Sequence, residues 1–224
     1  MLCAASTAFA EPAQRPQAPA GLDPAILALA ERAADAAIAR LPVAKPELLT
    51  VIDYSLPSTE RRLWVLDRVS GTVLWHELVA HGSGTGENLA TAFSNRDGSK
   101  QSSLGLFLTE ETYQGRNGLS LRMRGLEPGV NDLARERAIV MHGAPYVSQA
   151  FVKAHGRLGR SWGCPALPLD VSAQVIDRLR GGSLVFAYYP DRDWLRHSQF
   201  LEAGEMTADA GSSSAPAVAG ARLP

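Results

Sequence analysis

Two residues carry most of the chemistry this sequence has to offer. Cys164 sits in the run Gly159-Arg160-Ser161-Trp162-Gly163-Cys164-Pro165, and His142 precedes Gly143 at the end of the apolar run Ala138-Ile139-Val140-Met141. Glycine before Cys164 and proline after it exclude the interior of a regular strand or helix, so a tight turn is expected. A thiol on such a turn has unpaired backbone N–H groups around it and room for a substrate carbonyl. Those are the requirements of a nucleophile and its oxyanion donors. A histidine at a strand end can take the thiol proton, giving the thiolate–imidazolium pair of cysteine acyl transfer. Residue types and spacing leave the bland reading open as well: a lone cysteine also serves as a small buried hydrophobe, and a lone histidine as a structural residue.

The rest of the chain supplies the elements that must position this pair. It has 224 residues, 46% of them hydrophobic and 20% charged, with a formal net charge of −1. That suits one soluble domain with appendages. With no Lys/Arg run, nucleic-acid binding is not expected, and no apolar stretch reaches the ~18 residues of a transmembrane helix. A helix is expected from residue 24, with Leu22, Asp23 and Pro24 as N′, N-cap and N1 and an inward stripe of Ile26, Leu29, Ala33, Ala37 and Leu41. Pro42 stops it. Strands are expected at 48–55, 62–68, 73–80, 104–109, 119–126, 138–142 and 183–189, with a hairpin turn at Ser70-Gly71. Short helices are expected at 146–155 and 171–180. The fold class is therefore mainly β, a sandwich or mixed sheet with attached helices.

The ends differ in composition. Residues 1–10, MLCAASTAFA, end in an Ala-x-Ala pattern after a short apolar segment, as the remnant of a signal peptide does. Export to the periplasm or cell wall is the expectation. Cleavage after Ala10 removes Cys3 and leaves Cys164 as a single thiol in an oxidising compartment. Residues 11–21 form a Pro/Ala linker, 22–47 an N-terminal helical segment, 48–200 the main domain, and 201–224 a low-complexity tail.

The segment from His142-Gly143 to Ser161-Trp162-Gly163-Cys164 resembles the signature of L,D-transpeptidases of the YkuD type. It resembles most closely a divergent subgroup of murein L,D-transpeptidase catalytic domains. The resemblance continues through His81-Gly82-Ser83-Gly84-Thr85-Gly86, Ser102-Ser103-Leu104-Gly105, Gly125-Leu126-Glu127, Asn131 and Arg137-Ala138, over about residues 48–189. It implies a β-sandwich-like catalytic domain acting on peptidoglycan stem peptides, without metal or organic cofactor. Cys164 would attack the bond between the third stem residue and D-Ala, forming a thioester that an amine resolves, with His142 as its base. Backbone groups around Gly163 and Cys164 would form the oxyanion hole, and Ser161 would orient or hydrogen-bond within the loop. Trp162, beside Cys164, has two readings of its own: it shapes the acyl pocket, or it anchors the loop in the core. Two positions depart from the common signature: Trp162 stands for a histidine, and Ala166 for an asparagine or arginine. Water as acceptor would make the protein an L,D-carboxypeptidase. A monomer is expected.

Other residues have rival readings. His81 lines the groove and holds a substrate carboxylate, or is a solvated loop residue. Arg157 and Arg160 pair with a substrate carboxylate or make a local salt bridge. Tyr146 hydrogen-bonds in the site or packs under the loop. Trp64 and Trp75 are expected in the core. The Gly82-x-Gly84-x-Gly86 run lacks the Lys-Ser/Thr helix of a phosphate cradle. His76, His81, His142, His155 and His197 raise a zinc peptidase as a rival enzyme, but no His-Glu-x-x-His is present. A wall-binding module without turnover is the third class.

Overall fold

A computed structural model describes residues 18–201. The signal-peptide remnant, residues 11–17 of the linker and the tail from 202 lie outside the described residues. Asp23 caps the first helix, α1 (Pro24–Arg40), by accepting a hydrogen bond from the Ala25 N–H at 2.7 Å, and Pro24 opens it. The helix ends before Pro42, as expected. Its buried face is Ile26, Ala30, Ala33, Ala34 and Ala37. Leu29 and Leu41 are only half-buried, because alanines occupy the line of closest approach and the larger side chains flank it. Part of the expected linker is anchored too: the Ala20 carbonyl accepts from Trp64 Nε1.

The strands are β1 (Leu48–Asp53), β2 (Arg61–Asp67), β3 (Thr72–Leu78), β4 (Gly105–Gly115), β5 (Gly118–Gly125), β6 (Val140–Gly143), β7 (Ala166–Leu167) and β8 (Leu184–Tyr188). They form one mixed sheet in the order β3-β2-β1-β8-β4-β5-β6-β7. β1 is buried at every residue and runs parallel to β8, which explains its unbroken apolar reading. The expected β2–β3 hairpin is present; Asp67 Oδ1 accepts from the Val69 and Ser70 N–H groups across its turn. β4 is longer than expected because its polar half, past an irregularity at 109–112, pairs with β5 beyond the core. β7 escaped the sequence reading because two residues carry no periodicity. The helices α2 (Gln149–His155) and α3 (Leu169–Leu179) match expectation, and α4 (Arg192–His197) is additional. α4 carries Trp194 into the core, and Phe200 and Leu201 are buried, so the folded domain extends one residue into the expected tail.

The sheet curls until its ends nearly meet. Just past β3, Ala80 exchanges both backbone hydrogen bonds with Ala166 of β7, at 2.9 and 3.3 Å. The result is a nearly closed, barrel-like sheet whose seam lies beside Cys164. Among the described residues no helix is long and apolar enough to cross a membrane.

A buried polar pair braces β4 at its start. Glu127 Oε1 accepts from the Leu106 N–H at 2.7 Å, and Oε2 accepts from Trp194 Nε1 at 3.0 Å. Asn131 Nδ2 donates to the carbonyls of Leu104 and Leu106, while its Oδ1 accepts from the Glu127 N–H. Gly105, at φ +97°, leaves the space these two side chains occupy. Replacing Glu127 by Ala orphans two buried donors and should lower unfolding free energy by about 3 kcal/mol, measured by urea denaturation. Glu127→Gln should recover part of the loss.

Candidate active site

The Cys164 turn is assembled from main-chain bonds to a distant segment. The Ser161 N–H donates to the His81 carbonyl at 3.0 Å, and the Ser83 N–H donates to the Ser161 carbonyl at 2.8 Å. Ser161 Oγ spans the turn: it accepts from the Gly163 N–H at 3.1 Å and donates to the Cys164 carbonyl at 2.6 Å. Ser102 Oγ donates to the Gly163 carbonyl and accepts from the Gly82 N–H, both at 3.0 Å. Gly163 has φ +121°, and a Cβ there would stand 2.7 Å from the Gln101 carbonyl oxygen. A Cβ on Gly82 would meet the Gly163 backbone at 2.8 Å. The glycines at 82 and 163 thus let two backbones touch, which accounts for the glycine run without a phosphate.

β6 brings His142 to this turn. Parallel pairing sets His142 opposite Ala166, two residues past Cys164, and the His142 N–H donates to the Pro165 carbonyl at 3.4 Å. Two residues earlier, the Val140 N–H points at Cys164 Sγ at 3.5 Å, and Sγ lies 3.7 Å from the Ala138 carbonyl. His142 is buried, with Nδ1 2.9 Å from the Gly143 carbonyl. A carbonyl only accepts, so Nδ1 carries the proton and Nε2 keeps its lone pair. This orienting carbonyl had no signature in the sequence, because any residue supplies one.

Burial sets the charge state. It pushes the Cys164 thiol up, against the Val140 N–H and the Arg137 charge, which favour the thiolate. It pushes His142 down, against its bond to the Gly143 carbonyl. Both shifts favour a neutral thiol and a neutral imidazole at rest, rather than the ion pair expected from residue types.

The remaining expected site residues fall in different places. His81 is 1% exposed and both ring nitrogens are engaged: Nδ1 accepts from Arg62 Nη2 at 2.8 Å, and Nε2 donates to the Glu87 carbonyl at 3.0 Å. No nitrogen is left for a carboxylate, and the ring is not solvated; it braces the loop beside the turn. Burial, then the Arg62 charge, push its pKa down to about 4. Arg62 is itself fully buried and gives its other donors to the Val79 and Leu56 carbonyls. Arg160 pairs with Glu87 at 2.6 Å and reaches the Gly86 carbonyl at 3.0 Å, while Arg157 takes the other Glu87 oxygen. The pair of arginines therefore makes the local salt bridge. Tyr146 packs against Gly159 and accepts its N–H on the carbonyl. Burial, with the Cys164 charge adding, pushes its phenol up to about 12, so it is neutral. Trp162 is 72% exposed and lies under Lys100 Nζ, 5.3 Å from the ring centroid, so it does not anchor the loop in the core. The Gly163 N–H, expected as an oxyanion donor, is already held by Ser161; the Cys164 N–H has no partner among the described residues. A cleft of about 520 Å³ opens just past β6, lined by Ala144, Pro145, Ser148, Gln149 and Leu169 among others. Trp64 is a core residue as expected, with Trp75 packed against the core and His76 stacked on Trp64.

Two outcomes are expected here. Ser161→Ala leaves a buried N–H and a carbonyl unpaired and should cost about 2 kcal/mol of stability; Ser161→Thr should restore it in the same denaturant titration. His81 titrates lower in the folded state than in the unfolded chain, so the unfolded state binds more protons between the two values. Stability should therefore fall as pH drops from about 6.5 to about 4, by about 3 kcal/mol in all. His81→Gln should flatten that slope in melts run across the window.

Residues 19–188 match the L,D-transpeptidase catalytic domain family. Solved structures similar to the chain include an L,D-transpeptidase from Mycobacterium smegmatis, at 16% identity and TM-score 0.40, covering 64% of this chain and 59% of that one. Another is an L,D-transpeptidase from Stackebrandtia nassauensis, at 15% identity and TM-score 0.40, covering 73% and 65%. The helical cell shape determining protein Pgp2 (K307A mutant) from Campylobacter jejuni follows at 13% identity and TM-score 0.43, covering 65% and 48%. The chain thus spans less than two thirds of the length of these structures. No curated protein matches it. The family match covers most of the chain, the Cys164 turn and His142 included, and on that ground the chain belongs to the L,D-transpeptidase catalytic domain family.

Proposed function

We propose that the protein is a peptidoglycan L,D-transpeptidase in which Cys164 is the nucleophile and His142 the base. The observation that carries this reading is the contact of His142 Nδ1 with the Gly143 carbonyl, on the strand that pairs with β7 directly after the Cys164 turn. With Nδ1–H held by the Gly143 carbonyl, Nε2 is the proton acceptor. Sγ attacks the carbonyl carbon of the third stem residue as its proton passes to Nε2. The C–S bond forms, the C–N bond to D-Ala breaks, and the departing amine takes the proton from Nε2. An amine of a second stem then attacks the thioester, gives up a proton to Nε2, and the thiol is restored. The neutral resting pair suits this sequence, because proton transfer accompanies attack and no buried ion pair must be maintained. The unpartnered Cys164 N–H is the oxyanion donor. No metal or organic cofactor takes part. The substrate implies a place at the cell wall, and the Ala-x-Ala end of residues 1–10 supports export.

The test is intact-protein mass spectrometry of the full chain with a tetrapeptide muropeptide. An adduct equal to substrate minus D-Ala is expected, and is expected to vanish in Cys164→Ala. His142→Gln should lower the acylation rate by about 100-fold or more. Adding an amine acceptor should convert the adduct to cross-linked product; release by water alone would make it a carboxypeptidase. A folded protein with a titratable thiol and neither adduct nor product would overturn the assignment.

A further inference from the structure

We propose that Arg137 is the positioning cation of the thiol site: it clamps the loop of residues 94–103 against the Cys164 turn and presents its positive charge to Sγ. This rests on Cys164 being the reactive thiol. The guanidinium makes four hydrogen bonds, and every acceptor is neutral. Nη1 donates to the Ser94 carbonyl at 2.7 Å and to Ser103 Oγ at 2.6 Å. Nη2 donates to the Gln101 carbonyl at 2.7 Å and to Ser99 Oγ at 3.3 Å. Among the described residues no carboxylate lies within ion-pair distance; Asp97 acts on Arg137 only from further off. A half-buried cation held by neutral acceptors keeps its field available to its surroundings.

One end of this clamp adjoins the thiol and the other adjoins the turn that carries it. In the chain, Arg137 immediately precedes Ala138, whose carbonyl faces Sγ and whose φ is +53°, a conformation rare outside glycine. The turn that holds Ala138 there is closed by the Arg137 N–H to the Leu133 carbonyl and the Ile139 N–H to the Ala134 carbonyl, each at 2.9 Å. On the far side, the Gln101 carbonyl gripped by Nη2 abuts Gly163, and neighbouring Ser102 holds the Gly163 carbonyl. Removing the guanidinium therefore frees the wall of residues 94–103, while the Ala138 turn keeps its own main-chain bonds.

The other titratable groups on the elements around the turn leave this role to Arg137. His142 from β6 is held neutral by burial. Tyr54, after β1, and Tyr146, before α2, are both pushed up to about 12 by burial. Lys100 is exposed and occupied on the Trp162 ring.

The experiment is the pH dependence of iodoacetamide alkylation in the full chain, read at Cys164 by peptide mass so that Cys3 does not contribute. Relative to wild type, Arg137→Gln should raise the alkylation midpoint by about one pH unit, tenfold in thiolate at a given pH. Arg137→Lys keeps the charge and should stay within about 0.3 unit. An unchanged midpoint in a folded Arg137→Gln, or an equal rise in Arg137→Lys, overturns the proposal. Should Arg137→Gln fail to fold, Arg137→Lys decides alone: a midpoint near wild type supports the cation, and a raised one overturns it. The assay uses no stem peptide, so a protein that alkylates as expected but forms no muropeptide adduct would sink the acyl-transfer reading and leave this one standing.

Discussion

The seam of the sheet is the constraint on which the site depends. Residues 80–83 and 161–166 are joined through backbone bonds at Ala80–Ala166, His81–Ser161 and Ser83–Ser161. Main-chain pairing is specific to register and insensitive to side chains, so it places Cys164 without committing any side chain of the turn except Ser161. The glycines at 82 and 163 permit the contact, and Ser102 cross-links it. Beneath the seam lies Arg62, a buried cation that holds His81 and two carbonyls in place. Cys164 is thus mounted where the barrel closes, not on a free loop.

That placement explains the electrostatics. The seam half-buries the thiol and buries the imidazole, and cover disfavours charge. It therefore shifts both toward their neutral forms, while a directional N–H from Val140 and the Arg137 charge favour the thiolate. An uncharged pair leaves no unpaired ion under that cover.

Much of this was legible in the sequence, for identifiable reasons. The seven longer strands announced themselves by apolar runs, and α1 by an Asp-Pro start with a proline stop. Flanking glycine and proline marked the Cys164 turn. What stayed hidden was carried by main chain or by contacts between distant segments. The Gly143 carbonyl has no residue signature, and β7 is too short for a period to exist. His81 and Arg160 were chemically suitable for a substrate, but their partners, Arg62 and Glu87, lie elsewhere in the chain, beyond the reach of local pattern. Ser102 and Arg137 stood within resembling motifs with no role attached, because their partners become visible only after folding.

The central pairing of β1 with β8 has a consequence for how the molecule comes into being. Leu49 pairs with Leu184 and Asp53 with Tyr188, so the middle of the sheet joins the two ends of the domain. Contacts of such long sequence separation close late and slowly. The first hundred residues can form the β2–β3 hairpin locally, but they cannot complete the sheet. Until β8 inserts, β1 and β4 have open edges where each meets it in the finished sheet, and the seam has nothing to close around. A chain that stops short of β8 therefore has no closed seam to fix Cys164, and the site arises only once β8 is in place.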